Sequence, residues 1–228
     1  MHLSLTWTGM LILVLATGVA RTEDKAFVDT FSVDEKNFVS SGRNKYFILE
    51  PGFQWIYEDD DEKLVITVLD ETKKVGNVEA RIIEERESKG DKLVEVSRNY
   101  FAIDKTTNNV YYFGEDVDRY KDGKVSNHEG SWLAGTNGAK FGLVMAAEPK
   151  VGDRYYQEVA PGVALDRAEV KSITEKKKTP AGQFEHVLKT EETSGVNSKE
   201  KEYKYYAPDV GQILDENLKL VKYGQTKK

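Results

Sequence analysis

From Tyr46 to Val221 apolar and polar residues alternate at every second position, and a turn signal interrupts them about every 10–15 residues. Leu64, Ile66 and Val68 share one face. Val78, Ala80 and Ile82 share another, with Glu79 and Arg81 opposite, and Val94, Val96 and Tyr100 repeat the pattern. Further strands are expected at Val110–Phe113, Val125–Trp132, Arg154–Val159, Ala168–Ile173, Phe184–Thr190, Glu202–Ala207 and Gln212–Val221. Between them stand Gly76-Asn77, Gly90-Asp91, Asn108-Asn109, Asp122-Gly123, Pro180-Ala181-Gly182 and Asp209-Val210-Gly211, residue types that form tight turns. The best helix candidate is a single turn around Val33–Phe38. Such a chain is all-β, an antiparallel meander with one apolar face. That face must be hidden, and no helices are at hand to cover it. The sheet is therefore expected to curl into an open barrel or half-barrel, the shape of lipocalins and of bacterial lipoprotein carriers.

Outside the meander the chain changes character. Met10–Ala16 is a short apolar run, followed by Gly18-Val19-Ala20 and then by the polar Arg21–Lys25, the pattern of a secretory signal peptide cleaved near Ala20. The run is shorter than the ~20 apolar residues a transmembrane helix needs, and no other segment offers an integral membrane span. The expected organisation is a signal peptide over 1–20, an N-terminal arm over 21–43 and one β-rich domain over 44–228, with the mature protein periplasmic or extracellular. Gly130–Gly152 breaks the alternation with five glycines around Trp132, Phe141 and Met145. A long irregular segment of this kind is commonly functional, and here it is expected to close over the barrel.

Composition removes several classes of chemistry. With no cysteine, there is no disulfide, thiolate zinc site, iron–sulfur cluster or cysteine nucleophile. The formal charge of −6, without a basic patch, speaks against nucleic acid as a partner. Asp118 to Glu129 places acids and a glycine at several EF-hand positions, but Tyr120 occupies the third and Asp122-Gly123 reads as a hairpin turn. Asp104–Glu115 and Asp59–Asp61 read likewise as turns. His128 and Glu129 precede the Gly-rich segment and Met145 ends its apolar part, whereas His186 alternates with Phe184 and Leu188 and so is expected to face inward. These fall short of the three converging ligands a metal requires, and no cofactor is expected. Ser131 lacks the setting of a nucleophile elbow.

Several segments together resemble a widespread group of uncharacterised bacterial exported proteins. They are Asn44-Lys-Tyr-Phe-Ile-Leu-Glu-Pro-Gly52 with Trp55 and Tyr57, Val110-Tyr-Tyr-Phe-Gly-Glu-Asp116, Glu129-Gly-Ser-Trp132, Gly138-Ala-Lys140, Pro149-Lys-Val-Gly-Asp153 and Tyr203-Lys-Tyr-Tyr-Ala-Pro208 with Val210-Gly211. The likeness runs in order from about Asn44 to Val221. Ile48 and Phe141 stand where proline is usual, and Asp209 where glycine is usual. The group has no established activity, so the resemblance implies an exported, single-domain β protein and transfers no catalytic residue.

The aromatic residues carry the functional expectation. Consecutive rings such as Tyr111-Tyr112-Phe113 and Tyr205-Tyr206 must point to both faces of the sheet, so some line a cavity. The expected role is non-enzymatic binding of an apolar or aromatic small molecule in a β cup. Trp132 is the leading contact, and Tyr112, Tyr155, Tyr205, His128, Glu129 and Met145 are the other candidates. The alternatives are a secreted hydrolase using paired carboxylates, for which Glu129, Glu158, Asp166 and Glu169 are available among the 39 acids, and a structural or partner-binding module using a sheet edge. The sequence leaves the oligomeric state open.

Overall fold

The computed structural model describes residues 25–197, 199 and 201–226. The signal-peptide reading of 1–20 lies outside these residues. The chain runs through β1 (Phe38–Val39), β2 (Arg43–Asn44), β3 (Phe47–Ile48), β4 (Phe53–Asp59), β5 (Glu62–Val75), β6 (Val78–Lys89), β7 (Lys92–Asp104), β8 (Val110–Lys121) and β9 (Lys124–Asn127). It continues through β10 (Trp132–Leu133), β11 (Lys140–Met145), β12 (Arg154–Tyr156), β13 (Glu158–Val159), β14 (Asp166–Thr179), β15 (Gly182–Ser194), β16 (Lys201–Ala207), β17 (Gly211–Asp215) and β18 (Leu218–Gln225). The helical turn expected near Val33–Phe38 is a 3-10 turn at Glu35–Asn37, capped by the Asp34 carboxylate. No helix among the described residues is long and apolar enough to cross a membrane.

Thirteen strands form one antiparallel path, β12-β14-β15-β16-β17-β18-β4-β5-β6-β7-β8-β11-β13. The sheet curls into a nearly closed barrel with one unsealed seam. Its long hairpins follow from their turns. Asp60 and Asp61 alone separate the paired Asp59 and Glu62, Gly76-Asn77 joins Val75 to Val78, and Asp122-Gly123 joins Lys121 to Lys124. Asp60, Gly76, Asp122 and Gly123 take positive φ, the geometry two-residue hairpins demand. Asp209, standing where glycine was expected, also keeps a left-handed turn, with φ of 61°, a conformation Asp tolerates better than most side chains.

Closure depends on a divided strand. In Arg154–Val159 the first half, β12, pairs with β14, and the second half, β13, pairs with β11. Gln157 lies between them, and its backbone N–H donates to the Asp166 carbonyl at 2.8 Å. The crossing is tight at Gly142, where a Cβ would sit 2.3 Å from the Gln157 carbonyl oxygen, so only glycine fits there. The outer edge of β12 is covered by the N-terminal arm. Val28 exchanges backbone bonds with Arg154 and Tyr156, and Phe27 lies beside the guanidinium groups of Arg154 and Arg167.

The β2–β3 hairpin lies across one end of the barrel and stoppers it. The buried Asn44 amide donates to the carbonyls of Asn108 and Ala146 on one wall. On the other, the Tyr46 hydroxyl donates to the His186 carbonyl and Asp209 N–H donates to the Lys45 carbonyl. Phe47 then packs on Phe101, with ring centroids 5.0 Å apart. The Asn-x-Tyr-Phe segment is thus an architectural plug joining opposite walls. His186 itself is exposed: it sits at an irregularity of β15 with φ of 54°, which shifts the strand's phase and turns its ring outward, correcting the inward placement read from alternation.

Candidate functional site

Above the plug the barrel encloses a cavity of about 550 Å³, within the size range of small-molecule sites. Its floor is aromatic, formed by Phe47, Trp55, Phe101, Tyr112 and Tyr206. The rings are fixed by the backbone of neighbouring strands. Trp55 Nε1 donates to the Val210 carbonyl at 2.6 Å, and Tyr57 donates to the Gln212 carbonyl at 2.8 Å. Phe101 and Tyr112, cross-strand partners on β7 and β8, stack at 4.7 Å.

Toward the open end the lining becomes ionisable, with seven carboxyl side chains against three lysines. The two walls handle that charge differently. On β15–β17, Lys204 reaches Glu202 at 3.1 Å, Glu192 at 3.4 Å and Asp215 at 3.8 Å. Burial opposes its charge, but Asp215, Glu192 and Glu202 outweigh that and hold its pKa well above the usual range. The quarter of its side chain left uncovered faces the cavity. Glu192, itself 6% exposed, also accepts from the hydroxyls of Thr190 and Tyr206.

The opposite wall, β6–β8 with the seam, has no such cation. Glu85, Glu115 and Glu158 line the cavity, and none takes part in an ion pair among the described residues. Burial pushes Glu85 up to about 8 and Glu115 to about 7. Glu158, 3% exposed, is driven well above the carboxylate range by burial and then by Asp166. One of its oxygens accepts the Asp166 N–H at 3.0 Å. Arg119, the nearest guanidinium to Glu115, is held by Glu95 at 2.9 Å. Tyr112 stands at the centre of this wall and donates to Asn99 Oδ1 at 2.5 Å. Two amides on the cavity lack partners. Among the described residues, the Gln157 side chain, in a residue 7% exposed, makes no hydrogen bond, and Gln212 Nε2 is buried without an acceptor.

Of the residues singled out from the sequence, Tyr112 lines this cavity. Trp132 packs edge-on against Tyr112 at 5.2 Å and lines a separate hollow of about 250 Å³, with Ala139 and Ala160, its indole N–H unpartnered. Met145 and Tyr155 belong to the core, and the Tyr155 hydroxyl is buried without a partner. Tyr205 lies on the opposite side of β16 from Tyr206, under the Lys177 ammonium at 3.9 Å. His128 is 68% exposed and sits 3.0 Å from Asp118, and Glu129 is exposed. The Gly-rich stretch supplies β10 and β11 to the wall rather than an overlying flap. The sequence reading missed Glu85, Glu115 and Lys204, and it named Glu158 and Asp166 only among the acids available to a hydrolase; both line the cavity. Phase carried the signal: Glu85 follows Ile83 by two residues, and Lys204 precedes Tyr206 by two.

No group of three or more metal-ligating side chains comes together among the described residues. No family model matches the chain, and neither a curated protein nor a solved structure matches it.

Proposed function

We propose that this protein is an exported carrier that holds a small, largely apolar or aromatic molecule inside its barrel. The observation that carries the reading is the cavity of about 550 Å³, floored by rings and walled by polar groups. Pockets of this size and mixed lining bury most of a drug-sized ligand, while a few polar groups orient it. The motif resemblance and the signal-like leader support export, and a nearly closed β vessel suits transport or sequestration outside the cytoplasm. Trp55 gives the test. In a Trp132→Phe variant it is the only indole after residue 20, and it lines the floor. Titration with a panel of apolar and aromatic compounds is expected to shift its emission in a saturable manner. A silent panel, with the thermal midpoint unchanged by every compound, refutes the carrier reading.

A second reading has one observation in its favour. Burial, and then Asp166, raise the pKa of the Glu158 carboxyl, and both acids line the cavity. A carboxyl with a raised pKa next to a second carboxyl is the arrangement that acid–base hydrolysis uses. Turnover of chromogenic glycosides that is abolished by Asp166→Asn supports it. A flat time course across the series removes it.

A further inference from the structure

The two walls of the cavity differ in one respect that bears on what it holds. Lys204 satisfies the carboxylates of β15–β17, whereas Glu85, Glu115 and Glu158 face the same space with no cation of their own. A metal ion does not fit this set, since it needs oxygens converging at about 2.0–2.6 Å, and no such group exists among the described residues. Carboxyls spread over β6, β8 and β13 suit a larger cation whose charge is carried on N–H donors. The Gln157 amide is an independent indication of an occupant. It is nine-tenths buried, lines the cavity and has no hydrogen-bond partner. Its side-chain carbonyl is free to accept from an ammonium group in the cavity. Tyr112 adds an acceptor oxygen beside Glu115, and its ring, stacked on Phe101, opens onto the apolar floor.

We propose that the molecule held in the barrel is an organic amine, its protonated nitrogen seated among Glu115, Glu158 and Gln157 at the seam and its apolar body resting on Phe47 and Phe101. This rests on the carrier reading and adds the chemical class of the ligand. The raised pKa values of Glu85 and Glu115, caused first by burial and opposed at Glu85 by Lys204, agree with it, because a buried carboxyl favours its proton until a cation takes the proton's place. Amine binding near neutral pH is therefore coupled to proton release, and affinity rises with pH between about 5 and 8. The groups that share the field of Glu115 are Glu95, Glu158, Asp166, Arg119 and the Tyr112 hydroxyl.

The test is calorimetry on the full mature chain with matched probes, the amine, alcohol and carboxylate of both a phenylpropyl and an octyl skeleton. The amine is expected to bind at least about tenfold more tightly than the alcohol, with the carboxylate weakest. The wild-type protein is expected to release on the order of one proton per amine bound at pH 7, read from two buffers of different ionisation enthalpy, and none with the alcohol. Glu115→Gln with Glu158→Gln reproduces the protonated shape of both groups, so the fold is retained. It is expected to remove the preference for the amine over the alcohol. Equal affinity for amine and alcohol, without proton release, overturns the amine assignment and leaves the carrier reading standing. No heat from any probe on either skeleton overturns both.

Discussion

The wall built by β15–β17 and the wall built by β6–β8 with the seam come from the same meander and carry similar numbers of acids, yet only the first has its charge answered from within. Lys204 stands opposite Asp215 across β17, and Glu192 stands opposite Glu202 across β15 and β16, so three carboxylates converge on one ammonium. On the second wall the interior positions across from Glu85 and Glu115 are Ser97 and Asn99, neutral side chains that neutralise nothing. The difference teaches that inward acids in a barrel are of two kinds. Those with a built-in partner hold the structure together, and those without one are kept neutral by protons or await something from outside.

Breaking the satisfied wall has the largest expected effect. Lys204→Met leaves Glu192, Glu202 and Asp215 facing one another without a cation. It is expected to lower stability by about 3 kcal/mol at pH 7, measured by urea unfolding. The deficit shrinks toward pH 4 as the orphaned carboxyls take up protons. A loss as large at pH 4 as at pH 7 would assign the effect to packing instead.

The seam responds to shape rather than charge. Gly142→Ala drives a methyl group into the Gln157 carbonyl. It is expected to cost about 2 kcal/mol and to speed amide hydrogen exchange in Arg154–Val159 ahead of the β15–β17 wall. Uniform exchange over both walls would show that the seam is not a separate weak line.

The unsatisfied wall gives the smallest effect, with the opposite sign. The folded pKa of Glu85 lies above its unfolded value, so its favourable contribution is complete below about pH 4.5 and is lost as pH rises through about 8. Lys204, Asp215, Glu87 and Glu115 are the charges around it. Glu85→Gln is expected to change stability little at pH 5 and to raise it at pH 8.5, where the parent's carboxylate is ionised. A variant less stable than the parent at both values would move Glu85 to the satisfied class.

Much of this architecture was legible before any coordinates. Leu64, Ile66 and Val68 alternate cleanly because one face of β5 is core, and Gly76-Asn77 and Asp122-Gly123 announce hairpins because few residues take positive φ. The curl followed from an apolar face with no helix to cover it. What escaped was the polarity of the interior. Ile83-Glu84-Glu85-Arg86-Glu87 is charged at both parities beyond Ile83, so a carboxyl pointing into the cavity looks like one pointing into solvent. Trp132 attracted notice as a large ring in a Gly-rich stretch, but its docking beside β8 depends on Gly114, where a Cβ would sit 2.5 Å from the Trp132 carbonyl oxygen. Such close approaches are a property of chain packing in three dimensions and leave no local periodicity. His186 escaped for a related reason, since an irregularity within a strand resets its phase without a marker in composition.

The stopper formed by Asn44, Tyr46 and Phe47 closes one end of the barrel. Tied to facing walls by its own hydrogen bonds, it makes the vessel a dead end rather than a conduit. On the carrier reading, a ligand would enter and leave by the one remaining rim, under the same set of charges.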